Sequence, residues 1–311
     1  MELLYKIYFA FPNFKRYGFF GKVVNKIFQK ILKFYFDKTV PKQLIKTFGA
    51  SDYGLNTEKR DSKYIVSLTS FPSRINEIWI TIDLVLRQTF KPDMVILWLA
   101  NEQFENLSLP ESLLKLKEKG LTIRFCDDLR SHKKYYYSMK EFKDSIIITV
   151  DDDVYYPKDF LSKIIEFHKK FPEAIIANKA HSMKFRQETV LPYRKWRHND
   201  KSIKIPSHLL VAVGVGGVLY PPRSLSNEVF DQEVFKEICF FADDLWLKIN
   251  ALLINTKVVA TDYYNKDFIT IGKTQRVKLV TQNALHGGND VQLKNLCEHF
   301  NIDLSDYAEK K

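Results

Sequence analysis

The stretch IIITVDDDVYYPKDF, residues 146–160, decides how the chain is read. A β-branched run leads directly into three consecutive carboxylates, Asp151, Asp152 and Asp153. The run, SIIITV over 145–150, reads as a buried strand, and PKDFLSKIIEFHKKF, 157–171, as the helix after it, with Pro157 near its first turn. In an open α/β sheet, ligands gather beyond the carboxyl ends of the strands. In an extended segment alternate side chains share a side, so Asp151 and Asp153 are expected to face together. Two such carboxylates repel unless a cation or a donor network lies between them. Oxygen ligands of this kind suit Mg²⁺ or Mn²⁺. The alternative is a solvated acidic turn that caps the next helix.

Working outward, strands and helices alternate. KYIVSLTSF (63–71), MVILWLA (94–100), LTIRFC (121–126) and AIIANKA (174–180) read as strands. EIWITIDLVLRQT (77–89), with Asn76 as its cap, ESLLKLKEKG (111–120), closed by Gly120, and KYYYSMKEF (134–142) read as helices. This alternation predicts an α/β fold with a mainly parallel sheet flanked by helices. There is no internal repeat and no low-complexity linker.

Composition narrows the class. Among 311 residues, 45% are hydrophobic, with 24 Phe and 16 Tyr, enough for a substantial core. Cys126, Cys239 and Cys297 form no C-x-x-C pair, which argues against a disulfide framework or a zinc knuckle and fits a reducing, cytoplasmic setting. No signal peptide with a cleavage site is evident, and no apolar run approaches the ~18–20 residues of a spanning helix. The net charge is +11, but residues 1–50 hold ten Lys/Arg against Glu2 and Asp37, or +8, leaving +3 for the rest. The chain therefore divides into a basic N-terminal segment, 1–50, and a near-neutral body, 61–311, with halves at 61–180 and 181–311. A body without a basic face argues against nucleic-acid binding.

Within the basic segment, GFFGKVVNKIFQKILKFYF (18–36) repeats apolar residues at helical spacing, with Lys22, Lys26 and Lys30 between them. Two readings are open. The helix packs on the body with a solvated lysine face, or it lies against an anionic membrane surface as a peripheral anchor.

A strand ending in D-x-D, after about four strand units, resembles the nucleotide-sugar-binding core of GT-A fold glycosyltransferases, a Rossmann-type architecture. The helix ending LRQT (86–89) and the strand after it resemble the family-2 pattern. The resemblance implies donor contacts from SLTSFPSR (67–74), with Thr69, Ser70 and Arg74 as candidates, and from Asp128 with Lys133 or Lys134 in CDDLRSHKKYYYSM (126–139). It implies that Asp151 and Asp153 hold Mn²⁺ or Mg²⁺ against the donor diphosphate, that Asp152 lies on the donor side, and that His286 of QNALHGGND (282–290) is a third metal ligand. Gly216 and Gly217 of VGVGGVLYPP (213–222) would line the donor-sugar pocket.

FFADDLWLKINALL (240–253) is similar to the motif in which an acid at a helix N-terminus deprotonates the acceptor hydroxyl. Asp244, or Asp243, takes that role, with N-capping by Asp243 as the alternative. The polar, aromatic segment 184–208 reads as an insertion over the acceptor side, with Tyr193, Trp196 and Arg197 as sugar contacts. Asn289 and Asp290 read as a cap for helix 291–300. The resulting expectation is a metal-dependent glycosyltransferase that moves a sugar from a UDP-sugar to a glycan or lipid-linked acceptor in surface-polysaccharide or lipopolysaccharide synthesis, inverting if Asp244 or Asp243 is the base, with a retaining mechanism as the other option. A nucleotidyltransferase on a similar sheet, or a non-catalytic carbohydrate- or membrane-binding protein, are the alternatives.

Overall fold

The computed structural model describes residues 1–12, 14, 18–50, 53–276 and 288–308. Its strands are β1 (Tyr64–Thr69), β2 (Met94–Ala100), β3 (Leu121–Cys126), β4 (Ile146–Thr149), β5 (Ile175–Ala177), β6 (Ala180–Ser182), β7 (Phe185–Arg186), β8 (Thr189–Val190), β9 (Leu210–Ala212), β10 (Val218–Tyr220) and β11 (Val258–Ala260). Its α-helices are α1 (Glu2–Ala10), α2 (Gly18–Lys46), α3 (Ile78–Leu86), α4 (Asn101–Phe104), α5 (Glu111–Leu114), α6 (Lys133–Glu141), α7 (Phe160–Lys170), α8 (Gln232–Ile238), α9 (Asp243–Leu252) and α10 (Gly288–His299).

Seven strands form one sheet in the order β11-β5-β10-β4-β1-β2-β3. All its pairings are parallel except those of β10, which runs antiparallel to both β4 and β5. The architecture is thus mixed α/β with a mainly parallel central sheet flanked by helices. β1 and β4 are central, and their β-branched residues are buried on both faces, as a covered parallel sheet requires.

Several element boundaries differ from the local pattern. AIIANKA does not form one strand: the chain leaves the central sheet after Ala177, and β6 pairs with β9 in a separate two-stranded sheet. The glycine-rich stretch is not a continuous strand either. Gly214–Gly216 forms a 3-10 turn that reverses the chain into β10. Asn76 does not cap α3, since residues 72–74 form a 3-10 turn and the capping position falls on Glu77, without a side-chain bond. Gly120 does close its helical segment, in the left-handed conformation at φ 106°.

The N-terminal helices join the core. Tyr5, Tyr8, Leu32, Phe36, Val40 and Leu44 share one hydrophobic cluster with Leu68, Val85 and Tyr155. Phe36 is fully buried, worth roughly 1.5–3 kcal/mol relative to exposure.

Candidate active site

The acidic triplet sits at the carboxyl edge of β4, next to the end of β1. β4 stops at Thr149, and Asp152 and Asp153 lie in a turn, so the two-residue alternation of a strand ends before them. Asp151 and Asp153 each have a cation beside them. Asp151 Oδ1 lies 3.1 Å from Lys134 Nζ. The Arg74 guanidinium bridges the other two, at 2.5 Å from Asp152 Oδ1 and 3.2 Å from Asp153 Oδ2.

Asp152 is a brace. Its Oδ2 accepts from the Ser70 hydroxyl at 2.5 Å, and its carbonyl accepts from Thr81. Burial pushes its carboxyl up, against the pull of Arg74 and Ser70. Ser70 and Arg74 thus hold the loop after β1 onto the acidic turn, while Thr69 Oγ1 donates to the Trp98 carbonyl and pins β1 to β2. Gln88, in the helix end that carried the family-2 likeness, is buried. It clamps the far side of the turn, donating to Pro157 O and accepting from Leu161 N.

Opposite the triplet stand α6 and α9. Lys134, near the start of α6, reaches Asp243 Oδ2 at 3.0 Å as well as Asp151. Ser131 donates to Asp243 Oδ1 at 2.9 Å. Asp243 is the first residue of α9 and does not cap it, since both oxygens are engaged by Lys134 and Ser131. Asp244 Oδ1 accepts from the backbone N–H of Gly214 at 3.1 Å. Gly214 is the glycine that sequence reasoning missed. A Cβ there would lie 2.7 Å from Lys134 Nζ and 3.4 Å from both Asp151 Oδ1 and Asp244 Oδ1. Tyr156 was also missed; its hydroxyl accepts from Asp151 N at 3.0 Å. The YY one residue beyond the triplet was the local signal for it.

The electrostatics follow from burial and crowding. Burial would lower the Lys134 ammonium, but Asp151, Asp243 and Asp244 hold it well above its ordinary value. Burial would raise Asp243, but Lys134 keeps it below the usual carboxylate range. Asp244 is pushed up to about 7, first by burial and then by the charges of Asp243 and Asp151. His132, stacked on Phe235, is pushed by burial down to about 4 and stays neutral.

Among the described residues, five carboxylates (Asp151, Asp152, Asp153, Asp243 and Asp244) gather here with two cationic side chains, Lys134 and Arg74. Carboxylate oxygens at such an edge are the donor type that suits a divalent cation. Among the described residues, no three His, Cys, Asp or Glu side chains are arranged to hold a metal alone. Mg²⁺ and Mn²⁺ sites commonly use one or two carboxylates, with water and substrate phosphate completing the shell. Asp151 and Asp153 are the residues that would hold it.

Other expected site residues lie apart from this cluster or serve packing. Asp128 takes Lys133 Nζ at 2.7 Å and Gln103 Nε2 at 2.7 Å, so Asp128 and Lys133 satisfy each other. A Cβ on Gly216 would strike Lys179, and one on Gly217, at φ +78°, would strike the Phe160 ring. These two glycines permit close packing rather than facing the acidic cluster. Trp196 is buried, its indole N–H bonded to Leu191 O, and offers no open face to a sugar. Arg197 pairs with Asp200, and Tyr193 packs on Trp196. Asp290 accepts from Tyr193 N at 2.6 Å and lies within the first turn of α10 rather than capping it. His286 lies outside the described residues.

No family model matches the chain, and no curated protein matches it. Among solved structures it is similar to a mannosyltransferase, PcManGT from Pyrobaculum calidifontis in complex with GDP-Man and Mn²⁺, at 10% identity over 88% of this chain and 73% of that one, TM-score 0.41. It is also similar to S. aureus TarS 1-349, at 15% identity over 66% of this chain and 59% of that one, TM-score 0.41. A CMP:2-keto-3-deoxy-manno-octonic acid synthetase complexed with CTP aligns at 8% identity over 64% of this chain and 89% of that one, TM-score 0.39.

Proposed function

We propose that the chain is a metal-dependent glycosyltransferase that moves a sugar from a nucleotide-sugar donor, a UDP-sugar, to a hydroxyl of a glycan or lipid-linked acceptor. The observation that carries this reading is the placement of Asp244. It is a carboxylate poised near neutrality, oriented by the Gly214 N–H and set in one cluster with the acidic turn at the sheet's carboxyl edge. A divalent cation on Asp151 and Asp153 would supply charge neutralisation to the departing diphosphate.

Asp244 accepts the acceptor's hydroxyl proton as the new oxygen–carbon bond forms at the anomeric carbon. The bond to the diphosphate oxygen breaks on the opposite face, so configuration inverts. Gly214 holds Oδ1, which leaves Oδ2 to take the proton. Lys134 keeps Asp243 ionised beside Asp244, and that neighbouring charge helps to hold Asp244 basic enough to act.

The test is a donor panel of UDP-, GDP-, dTDP- and CMP-sugars, with Mn²⁺ or with chelator. Metal-dependent release of the nucleotide from one donor (the diphosphate from a UDP-, GDP- or dTDP-sugar, CMP from a CMP-sugar), lost in Asp153→Ala and in Asp244→Asn with acceptor present, is the expected outcome. Release of pyrophosphate from a nucleoside triphosphate would instead make the protein a nucleotidyltransferase. No turnover of any donor would leave a binding protein.

A further inference from the structure

The helix α2 carries two apolar faces, and among the described residues the domain buries only one. Leu32, Phe36, Val40 and Leu44, spaced by four, are buried against the core. Phe20, Ile27, Ile31 and Phe34 recur at intervals of seven, four and three along another side of the helix and are exposed. Phe19 and Phe20 are 83% and 76% accessible, and Leu3 on α1 is 70% accessible. Such side chains on two adjoining helices are more than the scattered apolar residues of an ordinary surface. Lys22, Lys26 and Lys30 are exposed along the same half of the helix.

We propose that this face is a docking surface for an anionic lipid bilayer. Residues 1–50 carry +8, so a second copy of the chain seated here would oppose two such segments. A neutral protein partner would cover the phenylalanines and leave the lysines without counter-charge. An anionic bilayer satisfies both, with aromatic and aliphatic side chains in the headgroup–acyl boundary and ammonium groups among the phosphates. No described helix is long and apolar enough to cross a membrane, so the contact is with its surface.

The helix is also fastened to the segment beside the acidic turn. Asp37 Oδ1 accepts from Tyr155 OH at 2.8 Å and from Gly272 N at 2.9 Å, and Lys33 donates to Thr270. Ile271 N in turn donates to the Asp153 carbonyl at 2.7 Å. A docked α2 therefore holds the acidic cluster at a set place relative to the bilayer. If the catalytic reading above is right, that arrangement suits a lipid-linked acceptor.

The test is sedimentation of the full chain with vesicles of phosphatidylcholine alone or mixed with phosphatidylglycerol, at low and high salt. Two variants are compared: Phe19→Ser/Phe20→Ser/Ile31→Ser, and Lys22→Glu/Lys26→Glu/Lys30→Glu. Salt-sensitive binding to the anionic vesicles is expected, weakened about tenfold or more in each variant. Melting temperature and donor turnover in solution should stay at the wild-type level, because none of these side chains touches the acidic cluster. Binding unchanged in both variants, or equal binding to neutral vesicles, overturns the proposal. So does a wild-type dimer that the variants dissociate without loss of vesicle binding, which would make the occupant a second copy. Because donor turnover is read separately, failure of the docking surface and failure of the catalytic reading are distinguishable.

Discussion

Gly214 stands against Lys134 so closely that a Cβ would fall 2.7 Å from the ammonium. The same residue's N–H holds Asp244. One backbone position thus sets the place of the cation between Asp151 and Asp243 and of the carboxylate next to it. Gly214→Ala should displace the end of a flexible lysine rather than a rigid element, costing about 1 kcal/mol or less of stability while lowering kcat at least tenfold. Gly217→Ala is the contrasting case. It forces a side chain at φ +78° into the Phe160 ring and should cost about 1–3 kcal/mol or more. Urea unfolding read beside turnover separates the two: the first variant fails in activity, the second in stability.

Asp244 sets the pH dependence. Its carboxyl, held at about 7, must be ionised to accept a proton. The rate should therefore rise with pH below about 7 and level off above it. Asp243→Asn removes one of the charges that raises it, so the rising limb should move to lower pH. Asp244→Asn should lose about 10²–10⁴-fold in transfer while still binding donor. A profile indifferent to Asp243→Asn would show that some other group titrates.

Lys134 is the cation on which two carboxylates depend. Lys134→Met leaves Asp151 and Asp243 without it and should cost about 3–5 kcal/mol at neutral pH. The Asp243 carboxyl is depressed in the folded protein, so its contribution is present above the unfolded value of about 4 and fades as pH falls through the folded one. The gap between wild type and variant should narrow on acidification. Mn²⁺ should raise the melting temperature of both proteins, as any ligand specific to the folded state does. No response to Mn²⁺ in either protein would remove the metal from the mechanism.

Lys248, one helical turn beyond Asp244, is buried, and its ammonium has no hydrogen-bond partner among the described residues. Burial pushes it down to about 7. A lowered lysine binds fewer protons folded than unfolded between pH 7 and about 10.4. The penalty is thus full below about 7 and disappears as pH rises through the unfolded value. Lys248→Met should stabilise the protein by about 2–4 kcal/mol at pH 6 and hardly at all near pH 10. Thermal melts at the two pH values measure the difference directly.

Much of this protein was legible along the chain, because side-chain periodicity is a local property. The β-branched run ending at Val150, the acids opening α9 and the amphipathic repeat of α2 each announce an element and its faces. Local pattern also placed Asp151–Asp153 and Asp243–Asp244 at the ends of elements. It did not say which cation would meet which acid. Lys134 lies 17 positions from Asp151 and comes from a different helix from Asp243, and only the packing of α6 between β4 and α9 brings the three together. The choice among glycines was equally hidden. Gly214, Gly216 and Gly217 look alike in sequence, yet the first faces the acids and the others face Lys179 and Phe160, because the 3-10 turn rotates successive residues to different neighbours. Trp196, a plausible sugar platform by type, was decided by burial alone. The elements follow from short-range pattern, whereas the charge pairing at the sheet edge follows from contacts between segments far apart in the chain, which no window of sequence contains.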